Sequence, residues 1–472
     1  MLGGKQMSYK DDKLTASDFT PLLALMAGYA FLMFAGGMNS LVVPIRGSAE
    51  GFSTFSLGLL GTSWAIGFIT GSIYVPHLVA RVGHIRIFAV MAALATMAVI
   101  LTVLLVHPIA WIPLRAAAGF CFAGAAMIVE AWINERTSRG TRGRVFGIYT
   151  MVNLGATTAG QMFLVTGDTG GVAFFLIAAI FYTLAIVPPA LSAVTKPRPL
   201  RKVSFDLPQT WKNSPIAVVA VVLIGVSNGA FGTLAAVFGQ KVDLGVAAIA
   251  TFMSAAILAG ALVQIPVGYL SDKFDRRLVL IGIAGTAAVV DVFFLVTTDF
   301  NFYVVVAAGA VFGGAIYSLP PVVMAHANDH APPDKYVQTS SSLLMMFGAG
   351  AIAGPVIAGS IMDIVGERGL FMVTLFAHAL MIFYTVWRTL VYKVKAVAKE
   401  DKVAFTRMEP GRVIMAPVEL SEMDFGLEED EETTVPEMPD RIREAFSKKG
   451  GDSDKETNFQ KGQSSDDTHG GW

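Results

Sequence analysis

Four ionisable residues, Arg115, Glu130, Asp291 and His378, stand inside stretches that are otherwise almost wholly apolar. A charge in hydrocarbon is costly enough that each must face a cavity, a partner or an interface, which makes each a candidate for chemistry. Glu130 follows Arg115 by fifteen residues, about 60° around an α-helix and about 22 Å along it. The two share a helix face but cannot pair, so Arg115 is expected toward one vestibule and Glu130 toward the other. A carboxyl in a partly dry site holds its proton more tightly and can carry one. Glu130 is therefore read as a protonation site or a substrate anchor, and its position equally allows a structural carboxylate tied to the basic run Arg136 to Arg144. Arg115 either works in a cavity or extends its stem to the outer surface.

Uncharged polar residues form a second pattern. Tyr149, Asn153, Thr157 and Gln161 recur every fourth position on one helix side, while Asn39 with Ser40 and Ser227 with Asn228 interrupt two other apolar runs. Such groups either hydrogen-bond a solute or pair between helices, the latter worth about 0.6 kcal/mol on average in membranes. Trp132, Phe231 and Tyr317 could add stacking surface or simply pack. His326 and His330 are four apart with Asp329 between them, a spacing that can ligate metal on a helix. Pro332-Pro333 ends that helix and a further ligand is lacking, so loop capping is the expectation, with neither metal nor cofactor. A nucleophile–base set and a phosphate-cradling Gly-x-x-x-x-Gly-Lys-Ser/Thr loop are also missing from the sequence, which argues against an enzyme and against ATP-driven transport by this chain alone.

The elements that must position these residues follow from composition. The chain has 472 residues, 54% hydrophobic and 15% charged, with a mean hydropathy of +0.59. Soluble domains carry about 25% charged residues, so the bilayer is the expected solvent. Apolar runs of about 20 residues, the length a helix needs to pair its backbone across hydrocarbon, divide residues 20 to 393 into twelve expected spans, near 20–45, 54–80, 87–106, 109–134, 145–166, 172–194, 215–239, 247–270, 278–298, 302–325, 337–362 and 369–391. Met1 to Asp18 is polar and leads into a full-length span, so the first span is expected to stay in the membrane. The lone Cys121 is read as packing. Basic residues gather on one side of the expected spans, fifteen against three, which places both termini in the cytoplasm.

The two halves repeat at an offset near 190 residues, as parallel-repeat transporters do. Asn39 after Gly36-Gly37 answers Asn228 after Gly225, Arg81 answers Lys273, and Gly160-Gln161 answers Gly354-Pro355. The expected organisation is a cytoplasmic N-terminus (1–19), an N-terminal six-helix bundle (20–195), a linker with Pro197, Pro199 and Pro208 (196–214), a C-terminal six-helix bundle (215–393) and a disordered acidic tail (394–472). From residue 399 onward the chain holds ten Lys/Arg against nineteen Asp/Glu, and such composition cannot offset ordering entropy.

The most specific local signal is Gly268-Tyr269-Leu270-Ser271-Asp272-Lys273-Phe274-Asp275-Arg276-Arg277. It resembles the G-x-L-x-D-[RK]-x-G-R-[RK] loop of the major facilitator superfamily, and with the twelve expected spans, cytoplasmic termini and central linker the resemblance covers residues 20 to 393. It implies an all-α membrane protein with twelve transmembrane helices in two pseudo-symmetric six-helix bundles, the family's MFS fold. In the family such loops latch the halves together, which implies a latch of Arg81, Asp272, Lys273, Arg276 and Arg277; simple retention of basic loops in the cytoplasm is the plainer reading of Arg276 and Arg277. The first-half loop departs from the pattern, with Ala80 where the family acid would sit. Arg115 with Gly119 resembles the R-x-x-x-G pattern of proton-coupled members. Glu130-Ala131-Trp132-Ile133-Asn134-Glu135 and the runs at Ala325 to His330 and Phe347 to Pro355 resemble the bacterial YcaD-like branch.

What the resemblance implies is a secondary active transporter of the bacterial inner membrane, moving a small organic solute by alternating access and coupled to protons through Glu130 and Arg115. Family cavities are lined by spans 1, 4, 5, 7, 10 and 11, so Asn39, Trp132, Tyr149, Asn153, Gln161 and Asn228 are the expected substrate-binding residues, and Asp291 and His378, in spans 9 and 12, lie outside that set. Amides, aromatics and few fixed charges suggest a mostly neutral amphipathic solute. Expected partners are the solute, protons and lipid; a monomer is expected and nucleic acid is not. The rival expectation is a transporter-fold signalling or assembly protein that works through its acidic tail.

Overall fold

The computed structural model describes residues 16–137, 139–191, 205–392 and 402–408. The N-terminus before residue 16, most of the linker and the rest of the acidic tail lie outside the described residues.

Among the described residues the secondary structure is helix without strands, joined by short turns, and residues 402–408 lie outside any helix. The helices are α1 (Ala16–Ala49), α2 (Thr54–Val82), α3 (His84–Leu104), α4 (Pro108–Arg136), α5 (Arg139–Phe163), α6 (Ala173–Leu184), α7 (Val187–Leu191), α8 (Leu207–Asn213), α9 (Pro215–Lys241), α10 (Val246–Lys273), α11 (Arg276–Val296), α12 (Phe302–Ile316), α13 (Leu319–Asn328), α14 (Tyr336–Val365) and α15 (Gly369–Val391). Local chemistry sets their starts. Ser53, Asp206, Asp275 and Asn301 each accept a first-turn backbone N–H, replacing partners that a helix N-terminus lacks. Gly83, at φ +97°, turns α2 into α3, a conformation that a Cβ disfavours.

Two expected spans are broken in two. Pro188-Pro189 lie in the first turn of α7, just after α6 ends, and Pro320-Pro321 in the first turn of α13, just after α12 ends. Each ring removes an N–H and clashes with the carbonyl four residues earlier, so the helix must re-aim there.

Among the described residues, eleven helical segments are long and apolar enough to cross a membrane. The expected span 5 is not among them, although α5 is 25 residues long. Its arginine-containing start and its Asn153, Thr157, Thr158 and Gln161 lower its hydropathy, because its inward face is polar. Large apolar side chains such as Leu262, Val289, Phe376 and Phe383 stand exposed on the outside, as a surface solvated by lipid requires.

The first bundle packs α1 on α5 and α6, and α4 on α2 and α3; the second packs α9 on α14 and α15, and α10 on α12. The repeat is visible in two crossings. A methyl on Gly160 would run into the Phe34 carbonyl of α1, and one on Gly354 would run into the Val226 carbonyl of α9, so glycine lets each pair of backbones touch. The bundles meet where α2 packs on α14 and α9, α5 on α10, and α1 on α9.

Candidate functional site

A cavity of about 230 Å³ lies between the bundles, walled by α1, α2, α4, α5, α6, α9, α10 and α14 with Tyr317 from the α12–α13 break. Asn39, Asn153, Gln161, Asn228 and Arg115 reach its wall, from four different helices. The polar stripe of α5 is one side of that wall. Gln161 accepts from Ser254 of α10 (2.9 Å), and Asn228 donates to the Ile316 carbonyl at the end of α12 (3.4 Å). The amides thus serve the helix packing and the cavity at once. Trp64, Phe68, Phe122, Tyr182 and Phe347 supply aromatic wall.

Trp132 and Tyr149 are buried away from the wall. Tyr149 stacks on Tyr29 with ring centroids 5.2 Å apart, donates to the Glu130 carboxylate (3.0 Å) and has its hydroxyl 3.2 Å from that of Tyr29. Tyr29 does line the cavity. Glu130 itself is fully buried, one helical turn beyond Ala126, the last cavity residue of α4. The structure therefore brings Glu130 to the cavity through two phenols rather than directly. Arg115 lines the cavity nearer the start of α4, as the helix geometry requires. The loop basics Arg136, Arg139 and Arg142 carry side chains outside the described set.

A second buried acid lies in the C-terminal bundle. Asp291 of α11 accepts from Thr374 (2.5 Å) and contacts His378 Nδ1 of α15 (2.6 Å), whose Nε2 is 3.0 Å from Ser227 Oγ of α9. All four side chains belong to fully buried residues. Ser227 directly precedes the wall residue Asn228. Sequence flagged Asp291 and His378 singly; their union spans 87 residues and two helices.

Two polar clusters bracket the cavity. Where α2 begins and α14 finishes, Asp363 accepts the backbone N–H groups of Thr54 (2.8 Å) and Phe55 (3.0 Å) and the Thr54 hydroxyl, which also lies 3.0 Å from the Gly359 carbonyl. A carboxylate on a helix N-terminus is favoured by the orphan N–H groups and the helix dipole. With Thr62 donating to the Ile352 carbonyl (2.6 Å) and Ser254 to Gln161, this seals that end across the bundles. Sequence reasoning missed it: Ser53-Thr54 reads as a helix start, but nothing local points to an acid 309 residues away.

At the opposite end, the expected latch residues Asp272, Arg276 and Arg277 bond within the C-terminal bundle and to residues 402–408. Arg276, buried, pairs with Asp329 (2.9 Å) and Asp272 (3.3 Å) and donates to the Val403 carbonyl. Arg277 pairs with Asp275 (2.6 Å). Burial pushes the Asp275 carboxyl up, but hydrogen bonds from the Arg277 side chain and backbone, with its charge, outweigh this and hold it below the usual carboxylate range. Burial keeps the Asp329 carboxyl above its ordinary value against the opposing pull of Arg276. Lys273 is exposed beside the Tyr269 and Phe274 rings, and Arg81 is exposed at the end of α2. His330 Nδ1 contacts the His326 backbone carbonyl one turn earlier (2.8 Å).

Two related helical bundles enclosing a polar and aromatic cavity, with an apolar exterior, define a multi-pass membrane transporter. The chain belongs to the Major Facilitator Superfamily, whose family profile matches residues 25–260 and 217–427. An uncharacterized MFS-type transporter of Yersinia pestis (strain Pestoides F) is 25% identical over 373 residues, covering 75% of this chain and 91% of the relative. The uncharacterized MFS-type transporter YcaD of Salmonella typhi is 25% identical over 380 residues, covering 78% and 97%. Among solved structures, the nucleoside transporter NupG aligns with TM-score 0.67 at 13% identity, covering 81% of this chain and all of that one. A bacterial homolog to the human lysosomal transporter Spinster aligns with TM-score 0.62 at 15% identity, covering 81% and 97%. The latter two establish the fold.

Proposed function

We propose that the protein carries a small organic solute across the bacterial inner membrane by alternating access, driven by protons. The observation that carries this reading is the cavity between two repeated bundles, closed at one end by Asp363 on the α2 N-terminus. Rocking of such repeats around a central site is how parallel-repeat carriers expose it to each side in turn. The basic-loop bias supports a cytoplasmic location for both termini and hence a periplasmic location for the Asp363 seal.

For the proton, Glu130 with Tyr149 and Tyr29 offers a carboxyl connected by hydroxyls to the cavity wall. Glu130→Gln in proteoliposomes is expected to abolish accumulation driven by a pH gradient while sparing solute counterflow; unchanged accumulation would sink the assignment. Asp291 with His378 is the competing location, favoured by its complete burial beside Asn228, and Asp291→Asn is the matching experiment. Solutes for these assays come from a thermal-shift screen of the purified protein followed by counterflow.

A working role for the acidic tail is the second reading, and the packing of residues 402–408 on the C-terminal bundle is what favours it. Truncation after Met408 separates the two: retained transport supports the carrier, and lost partner binding with retained localisation supports the scaffold.

A further inference from the structure

We infer that the transported solute is an amphipathic organic anion, anchored on Arg115. This rests on the carrier reading above and narrows it. Among the described residues that line the cavity, Arg115 is the one charged side chain, and no carboxylate of the described residues pairs with it. It is half-buried, and its Nε has no protein hydrogen-bond partner. Arg46, Arg276 and Arg277, by contrast, each have an acidic partner on the chain. An uncompensated cation within a membrane bundle is costly, and the guanidinium is a planar fork suited to a carboxylate or phosphate. The aromatic wall of Trp64, Phe122, Tyr182, Tyr317 and Phe347 adds apolar surface for a ring. A cationic solute would meet one positive charge and no negative one. Sequence composition suggested a mostly neutral solute; placing Arg115 on the wall with its acids elsewhere changes that expectation.

The test uses matched probes in which only charge varies: arylacetates, the corresponding arylacetamides and the corresponding arylethylamines, with phenyl, naphthyl and indolyl rings. Binding to the purified full chain is measured by titration calorimetry. The carboxylate of at least one ring is expected to bind about tenfold more tightly than its amide, the worth of a charge-assisted hydrogen bond. Arg115→Gln is expected to erase that difference, and Arg115→Lys to keep part of it. Tightest binding by an amide or amine, a preference surviving Arg115→Gln, or no carboxylate binding with any ring would overturn the inference. A carboxylate that binds through Arg115 but shows no counterflow would overturn the carrier reading and leave the anion site standing.

A separate observation carries a second inference: residues 402–408 wedge the linker end of α10 away from α5. Met408 and Gln264 exchange two hydrogen bonds (2.8 Å each). Val403 donates to Asp329 (2.8 Å) and accepts from Arg276. Lys402 reaches the terminal carbonyls of α10 at Phe274 (2.5 Å) and Ser271 (3.3 Å), and Phe405 covers Gly268, where a Cβ would come within 2.6 Å of its ring. Ser254, Ile257, Gln264 and Gly268 fall within an arc of about 80° on α10. The first of these bonds α5 and the last two hold the wedge, so one helix face serves both. Closing the linker end would lay α5 on the surface that Phe405 and Met408 occupy. Spin labels at the exposed positions Ile148 and Leu278, in a Cys121→Ser background, read the α5 to α11 separation. Val403→Pro and Phe405→Ala are each expected to add a shorter-distance population. Unchanged distances in both, with helicity retained by circular dichroism, would overturn the wedge.

Discussion

The carboxylate of Glu130 accepts from a phenol that the sequence places nineteen residues away, and that contact turns a costly charge into a reachable one. If the Tyr149 hydroxyl hands protons between Glu130 and the Tyr29 hydroxyl, Tyr149→Phe should slow pH-gradient-driven uptake about tenfold or more, while leaving equilibrium binding of solute unchanged. Loss of binding and uptake in equal measure would show instead that the phenol only packs α5 on α4. The sequence made Glu130 and Arg115 conspicuous because their cost in hydrocarbon is intrinsic to them. It could not say that one faces the cavity and the other stands behind two tyrosines, since a helix face becomes an inside or an outside only when neighbours arrive.

At the scale of elements, the α2 N-terminus is capped by a residue of the other bundle. Asp363→Ala removes the acceptor of two backbone N–H groups, and loss of such a cap costs about 1 kcal/mol. That is about a fivefold shift in an equilibrium. The expected outcome is greater labelling of a cysteine placed at Leu57 by a membrane-impermeant maleimide. Unaltered labelling would mean that packing of α2 on α14, not the carboxylate, closes that end. Helix ends and the glycine pairs at Gly160 and Gly354 were legible because they act through their own backbone, whereas the expected spans ran through the breaks at Pro188-Pro189 and Pro320-Pro321. The wedge at Gly268 was not legible, because Lys402 to Met408, seven residues without an acid, are too short a departure from the acidic tail around them to stand out, and their contacts with Gln264, Arg276 and Asp329 join positions 74 to 144 residues apart.

For the whole molecule, exchange between two closures is the property that matters. Thr54→Cys with Asp363→Cys, in the Cys121→Ser background, should form a disulfide under oxidation, given that the native side chains hydrogen-bond across the bundles. Counterflow is expected to fall to background and return on reduction. Counterflow persisting in the fully oxidised protein would show that this end need not open.

The sequence by itself determined the membrane class, the paired bundles, the family and the set of costly polar residues, because hydrocarbon penalises every unpaired backbone amide and every charge regardless of fold. Only the tertiary structure decided that Asn39, Asn153, Gln161 and Asn228 share one cavity, that Glu130 reaches it through Tyr149 and Tyr29, that Asp291 meets His378, and that Asp363 seals the end where α2 begins. Those contacts join residues up to 309 positions apart, and their geometry comes from how helices cross rather than from any local preference.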